Sequence, residues 1–148
     1  MRNAVAVAVA SFLALGTAQA ASKYFTVSIT NPAFRVLPAG IPAAGYFTIH
    51  NHSSVPITLT GARSPGCRSI MIHRGSNVGG MSRMDDVSSV TIASEQRLSF
   101  ETGGLHLMCM NPKPSMLTDK TVVVTLLFDG AHSVSTTFHL TDARGVYH

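Results

Sequence analysis

Histidine and methionine are the residues of this chain whose types and spacing allow chemistry, and they gather in the stretch Gly103-Gly104-Leu105-His106-Leu107-Met108-Cys109-Met110. Read as a strand, the stretch alternates. His106, Met108 and Met110 then share one face, and Leu107 and Cys109 share the other. The second face suits a core. The first carries an imidazole and two thioethers, an odd choice if packing were the only task. Imidazole binds many transition metals, and thioether sulfur favours soft ones, above all Cu(I). Methionine also fills gaps in cores, so the metal reading needs donors from elsewhere in the chain.

Two such donors are His73 and Met84. His73 reads as the end of a strand before a polar, glycine-containing loop at residues 75–80, and Met84 as part of the strand that returns. A hairpin would bring the two together. Two imidazoles and two thioethers could then converge at one end of a sandwich. All four are neutral when bound, and Zn(II) and Mg(II) find thioether poor. Asp85 and Asp86 adjoin Met84, but no carboxylate dominates the set. A neutral, sulfur-containing site holds Cu(I) and still lets ligands exchange, which suits passing an ion on more than storing it. Met71, Met81 and Met110 are expected in core or rim packing, and His50 and His52 in a solvated turn.

The elements that must position these residues begin after a leader. Arg2 is the only charge in the first twenty residues, residues 4–16 are small and apolar, and Ala18-Gln19-Ala20 is an A-x-A cleavage signal. A secretory signal peptide over residues 1–20 is expected, because the apolar run is shorter than the about 20 residues that span a bilayer. No cysteine follows the cleavage site, so a lipid anchor is not expected. Residues 21–148 would form one domain of 128 residues, long enough to bury a real core. Without Arg2, ten basic residues face seven acidic ones, a formal charge of +3. They are scattered, with no nucleic-acid footprint, and the charge reads as solubility.

Cys67 and Cys109 are the two cysteines, and an even count in an exported chain suggests one disulfide. Closing a loop of that length stabilises by about 4 kcal/mol on the chain-entropy estimate. A pair of thiolate metal ligands is the alternative. The disulfide is favoured because Cys109 alternates away from the face of His106 and Met108.

No segment after residue 20 holds a helical period. Short alternating runs and turn signals recur instead, the all-β pattern. Strands are expected at residues 23–30, 45–50, 56–62, 68–74, 81–84, 87–92, 97–101, 103–110, 121–128 and 134–140. Residues 31–44, with three prolines and Gly40, read as a loop or irregular edge. Asn111-Pro112-Lys113-Pro114 should stop the strand before it. Asp129-Gly130 reads as a hairpin turn, the strand before it as central, and residues 141–148 as a frayed tail. This spacing is that of a β-sandwich or barrel.

The ordered set His73, ten residues, Met84, twenty-one residues, His106, one residue, Met108 resembles the H-x10-M-x21-H-x-M motif of the periplasmic copper chaperone PCu(A)C family, and fits it without a gap. The resemblance extends to residues 46–51, the Ser64-Pro65 break and residues 122–128. It implies a cupredoxin-like Greek-key β-sandwich or barrel that binds Cu(I) through those four residues in the periplasm. It also implies delivery of copper to a membrane oxidase subunit, such as the Cu(A) site of cytochrome c oxidase, or to another periplasmic copper protein. Some relatives bind a second copper, as Cu(II), in a His- and Met-rich tail. Here only His132, His139 and His148 lie near the end.

Three other functions compete. An electron-transfer cupredoxin needs a cysteine thiolate with a closely following histidine, and the next histidine after Cys109 is His132, beyond two prolines and a whole strand. An enzyme is not expected, since the acidic residues are scattered and no serine carries the sequence of a nucleophile elbow. A copper-buffering or resistance protein without a dedicated acceptor would share the same fold and site.

Overall fold

The computed structural model describes residues 24–148. The expected signal peptide lies outside the described residues. Ten strands follow in order: β1 (Val27–Arg35), β2 (Ala43–Asn51), β3 (Ile57–Arg63), β4 (Cys67–Val78), β5 (Met81–Val87), β6 (Val90–Ile92), β7 (Arg97–Phe100), β8 (Leu105–Pro112), β9 (Thr121–Phe128) and β10 (Ser133–Thr141). Two single 3-10 turns, Pro114–Leu117 and Asp129–Ala131, are the helical pieces among the described residues. No described helix is long and apolar enough to cross a membrane.

Pairing runs β5-β4-β8-β2-β1-β10-β9-β3-β6, and a further pairing of Ala62 with Ile70 joins β3 back to β4. That contact closes seven strands into a barrel, which leaves no open edge along them. Among the described strands the contact between β1 and β10 is parallel and the other pairings are antiparallel. The all-β cupredoxin-like fold expected from the sequence is the fold observed.

Alternation fills the barrel. Phe47 and Ile49 of β2, Leu107 and Cys109 of β8, Val124 and Leu126 of β9, and Phe138 and Leu140 of β10 are all buried. Phe47 stacks on Phe100 at 4.4 Å and meets Phe138 edge-on at 5.7 Å. Cys67 and Cys109 form a disulfide. It ties the first residue of β4 to the inner face of β8, beside the fully buried Met116.

Several boundaries differ from the sequence reading. β1 runs through Asn31 and Pro32 to Arg35, because a bulge between Thr30 and Ala33 absorbs them. Asn31 takes a φ of +53° there, a conformation asparagine tolerates, and a bulge is where a strand accepts proline. β8 likewise continues to Pro112, which sits opposite Cys67. The loop expected at residues 75–80 is only Gly79-Gly80, both with positive φ, and Val78 pairs with Met81 across it. Two glycines suffice for the left-handed turn that matches strand twist, so residues 75–78 stay in the ladder. The tail is not frayed. Asp142 gathers the amides of Arg144 and Val146, and Thr141 bridges to Tyr147.

Candidate metal centre

The outer face of β4, β5 and β8 carries the residues singled out above. His73 on β4 stands directly opposite His106 on β8. Directly opposed residues of antiparallel strands put their side chains on one face. The two rings are 5.7 Å apart, nearly perpendicular. With nitrogen-to-metal bonds of about 2.0–2.1 Å, as for Zn(II), two imidazoles on one ion have centroids about 5–6 Å apart. The pair is therefore spaced to share an ion. Met108 follows two residues after His106 on the same face.

Met84 joins from β5. It pairs with Gly75, two residues beyond His73, so it lies diagonal to His73 on that face. The residue directly across from His73 is Asp86. The strand carries on past His73, which shifts Met84 from the position a short strand and long loop would give it. Met84 is 64% exposed on the outermost strand, whereas His106 is 3% exposed. The candidate side chains thus grade from a buried imidazole to an accessible thioether.

The electrostatics of the two histidines differ. His106 Nδ1 lies 3.0 Å from the Gly104 carbonyl oxygen, which can only accept, so Nδ1 carries the proton and donates. Its Nε2 is left with a lone pair, buried and without a hydrogen-bond partner. This is the arrangement that fixes a metal-binding histidine by its other nitrogen. Gly104 is held in turn by the Gly75 amide at 2.9 Å. His73 Nε2 lies 2.9 Å from Asp86 Oδ1, close enough for an ion pair but too poorly aligned for a hydrogen bond, and its Nδ1 is buried without a partner.

Sequence reasoning missed Asp86 as the residue across from His73. The methionines expected in packing lie where alternation puts them. Met71 stands opposite Met108 on the same face and is 38% exposed. Met110 shares the face farther along, opposite Ser69. Met81 alternates to the side opposite Met84. Tyr46 flanks His106 at 6.4 Å between ring centres, and Arg35 lies over the Tyr46 ring. Cys109 is in the disulfide, so the thiolate-ligand alternative and a blue-copper cysteine both fail. What remains is a face of two imidazoles with the thioethers of Met84, Met108, Met71 and, farther along, Met110, suited to a soft, low-charge ion.

The LpqE-like family model, described as "Putative lipoprotein LpqE-like", matches residues 27–140. Among proteins of curated function, none matches the chain. Solved structures do. "Solution structure of CuI-DR1885 from Deinococcus Radiodurans" is 28% identical with a TM-score of 0.63, covering 86% of this chain and 85% of that one. The apo form, "Solution structure of apo-DR1885 from Deinococcus radiodurans", is 25% identical, covers 98% of both chains and has a TM-score of 0.61. "Copper-bound PCuAC domain from PmoF2" is 20% identical, covers 78% of this chain and 92% of that one, and has a TM-score of 0.65. At that identity the last shows a common fold.

Proposed function

We propose that this chain, which belongs to the LpqE-like family, carries Cu(I) outside the cytoplasm and hands it to an acceptor. The cargo would sit on His73, Met84, His106 and Met108. One observation carries the reading: His106 Nε2 is buried, unpartnered and fixed as a lone-pair donor, opposite a second imidazole and beside thioethers. An unsatisfied buried nitrogen costs free energy unless something binds it. The copper named for the Deinococcus radiodurans relative supports that choice of ion. The thioethers support Cu(I) over Zn(II). The disulfide supports an oxidising compartment, and with the expected leader this makes the periplasm the proposed location.

The reaction is ligand exchange, with no bond made to carbon and no electron moved. An incoming acceptor would displace Met84 first, because that thioether is exposed and at the edge. His106 would let go last. The proposed acceptor is a copper-binding membrane oxidase subunit of the Cu(A) type or another periplasmic copper protein, and no enzymatic step is assigned.

Titration against a competing Cu(I) chelator tests the site. One Cu(I) per chain is expected. Replacing Met84 and Met108 together by Ala should weaken binding more than about 100-fold, beyond the ten- to hundredfold loss common for outer-shell changes. Unchanged affinity in a folded double variant would remove the site. Transfer to an isolated Cu(A) domain then separates a chaperone from a buffer. A chaperone loads the domain faster than free chelated Cu(I) does, and a buffer slows loading.

A further inference from the structure

A second cluster of metal-binding side chains lies at the far end of β2. His50 and His52 are two residues apart and share a face. Their rings are 3.8 Å apart between centres, and His50 Nε2 lies 4.0 Å from Glu95 Oε2. One donor atom from each of His50, His52 and Glu95 falls within 4.8 Å of the others. The solvated turn expected for these histidines is instead a half-buried, organised corner.

The corner is built by Asn51, between the two histidines and fully buried. Its amide nitrogen donates to the carbonyls of Val55, Ile92 and Ala93, and its oxygen accepts from the Ser53 amide. The Asn51 amide also donates to Gln96 O, and the Ser94 hydroxyl to Ser53 O. These bonds fasten the turn carrying His52 to the turn carrying Glu95. Glu95 itself has a φ of +59°, a conformation rare for a residue of its type.

The groups are under-used where they stand. His50 Nδ1 is buried without a partner, and His52 reaches only the Ser28 hydroxyl, at 2.9 Å. The contact between His50 and Glu95 is at the limit of an ion pair and its carboxylate is 60% exposed, so it contributes little as a surface pair. Protonating both rings would place two like charges side by side.

We propose that His50, His52 and Glu95 form a site for a divalent first-row transition-metal ion, with solvent in the fourth position. Two imidazoles and a carboxylate are a borderline donor set that suits Zn(II) and Cu(II), and they lack the sulfur that selects Cu(I). Bonds of about 2.0–2.2 Å put tetrahedral donors about 3.3 Å apart, so no pair of donors need approach by more than about 1.5 Å. The exposed Glu95 side chain and rotation of the rings supply that approach without moving the pinned backbone. Arg97, exposed and opposite His50 on β7, is a cation facing the cluster and tempers the affinity. None of these residues belongs to the thioether face, so the two sites stand or fall separately.

Zinc titration of the full chain, followed by the imidazole NMR signals, is the test. The His50 and His52 signals should shift together and saturate at one equivalent. Glu95→Gln sits on an exposed loop and should weaken binding at least tenfold while leaving the fold intact. His52→Gln should abolish the response at His50. Met84→Ala should leave zinc binding unchanged. Shifts confined to His73 and His106, or an affinity that ignores Glu95→Gln and His52→Gln, would overturn the proposal. So would the absence of saturable binding at millimolar zinc.

Discussion

Gly75→Ala, a substitution outside the four proposed donors, should weaken the proposed Cu(I) binding. The Gly75 amide donates to Gly104 O at 2.9 Å, and the same oxygen accepts from His106 Nδ1 at 3.0 Å. A Cβ on residue 75 would lie 3.1 Å from Gly103 O and 3.2 Å from Gly103 C, where ordinary contact begins at 3.4 Å. The turn must retreat by about 0.3 Å, and Gly104 O moves with it. The bond to His106 then stretches past about 3.2 Å, the edge of good N–H···O geometry. Full loss of such an outer-shell contact costs ten- to hundredfold in metal affinity. Stretching should cost about three- to tenfold, or about 0.7–1.4 kcal/mol. Stability should change little, because the roughly 0.5–1 kcal/mol that alanine gains over glycine in a strand offsets the crowding. Chelator competition on Gly75→Ala reads the effect. Gly61→Ala is the control, since its Cβ would meet nothing within 4 Å. Equal affinities for Gly75→Ala and the parent, or an equal loss in Gly61→Ala, would refute the coupling of the turn to His106.

Two further outcomes are expected. Replacing Cys67 and Cys109 by Ser should lower unfolding stability by about 4 kcal/mol on the loop-entropy estimate, measured by denaturant titration. A loss below about 1 kcal/mol would mean that the unfolded loop is already restrained. Asp142 governs the C-terminal turn: the Val146 amide, then the Arg144 side chain, lower its pKa from 3.8 to about 2. A lowered carboxylate stabilises above its unfolded value and stops doing so as the folded form protonates. Amide-exchange protection at Val146 should therefore hold down to pH 3.8 and fall as pH drops through about 2. Asp142→Asn should remove that transition, and protection lost well above pH 3.8 would contradict it.

The side-chain face was legible where alternation decides it. His106, Met108, Leu107 and Cys109 divide between the two faces of β8 as a period of two requires, and the same parity sends Cys109 inward to its disulfide. The β9–β10 hairpin was legible for the same reason, with Asp129-Gly130 at its turn. Register was not. The glycines at 75, 79 and 80 look alike in sequence, yet only the last two turn the chain, while Gly75 stays in the ladder opposite Met84, its amide bonded to Gly104 O. That mistake hid Asp86 as the neighbour of His73. Likewise nothing local predicted Glu95 beside His50 and His52, because the contact depends on Asn51 bonding across 41 positions of chain. The tail was misread because its Asp142, Arg144 and Gly145 were not taken as a turn signal, although the Asp142 carboxylate accepts from the amides of Arg144 and Val146.

The placement of the proposed copper face bears on how an ion would leave it. A centre meant to keep its metal gains from enclosure, since buried donors cannot be approached by a competitor. Here the barrel supplies enclosure on one side only. His106 is clamped between the Gly103-Gly104 turn, Tyr46 and β4, so its position is set by the closed ladder of seven strands. Met84 rides on β5, which is paired on one side alone and lies outside the closed ring. Small motions of that hairpin cost little, because they expose no core residue; every residue of residues 81–86 is already exposed. The rigid half of the face would hold the ion in place while the movable half yields a ligand. An acceptor thioether or imidazole could then add before the last imidazole departs, so that the ion need not pass through water. On this reading the unequal burial of the donors, and not the donor set alone, makes the face suited to transfer.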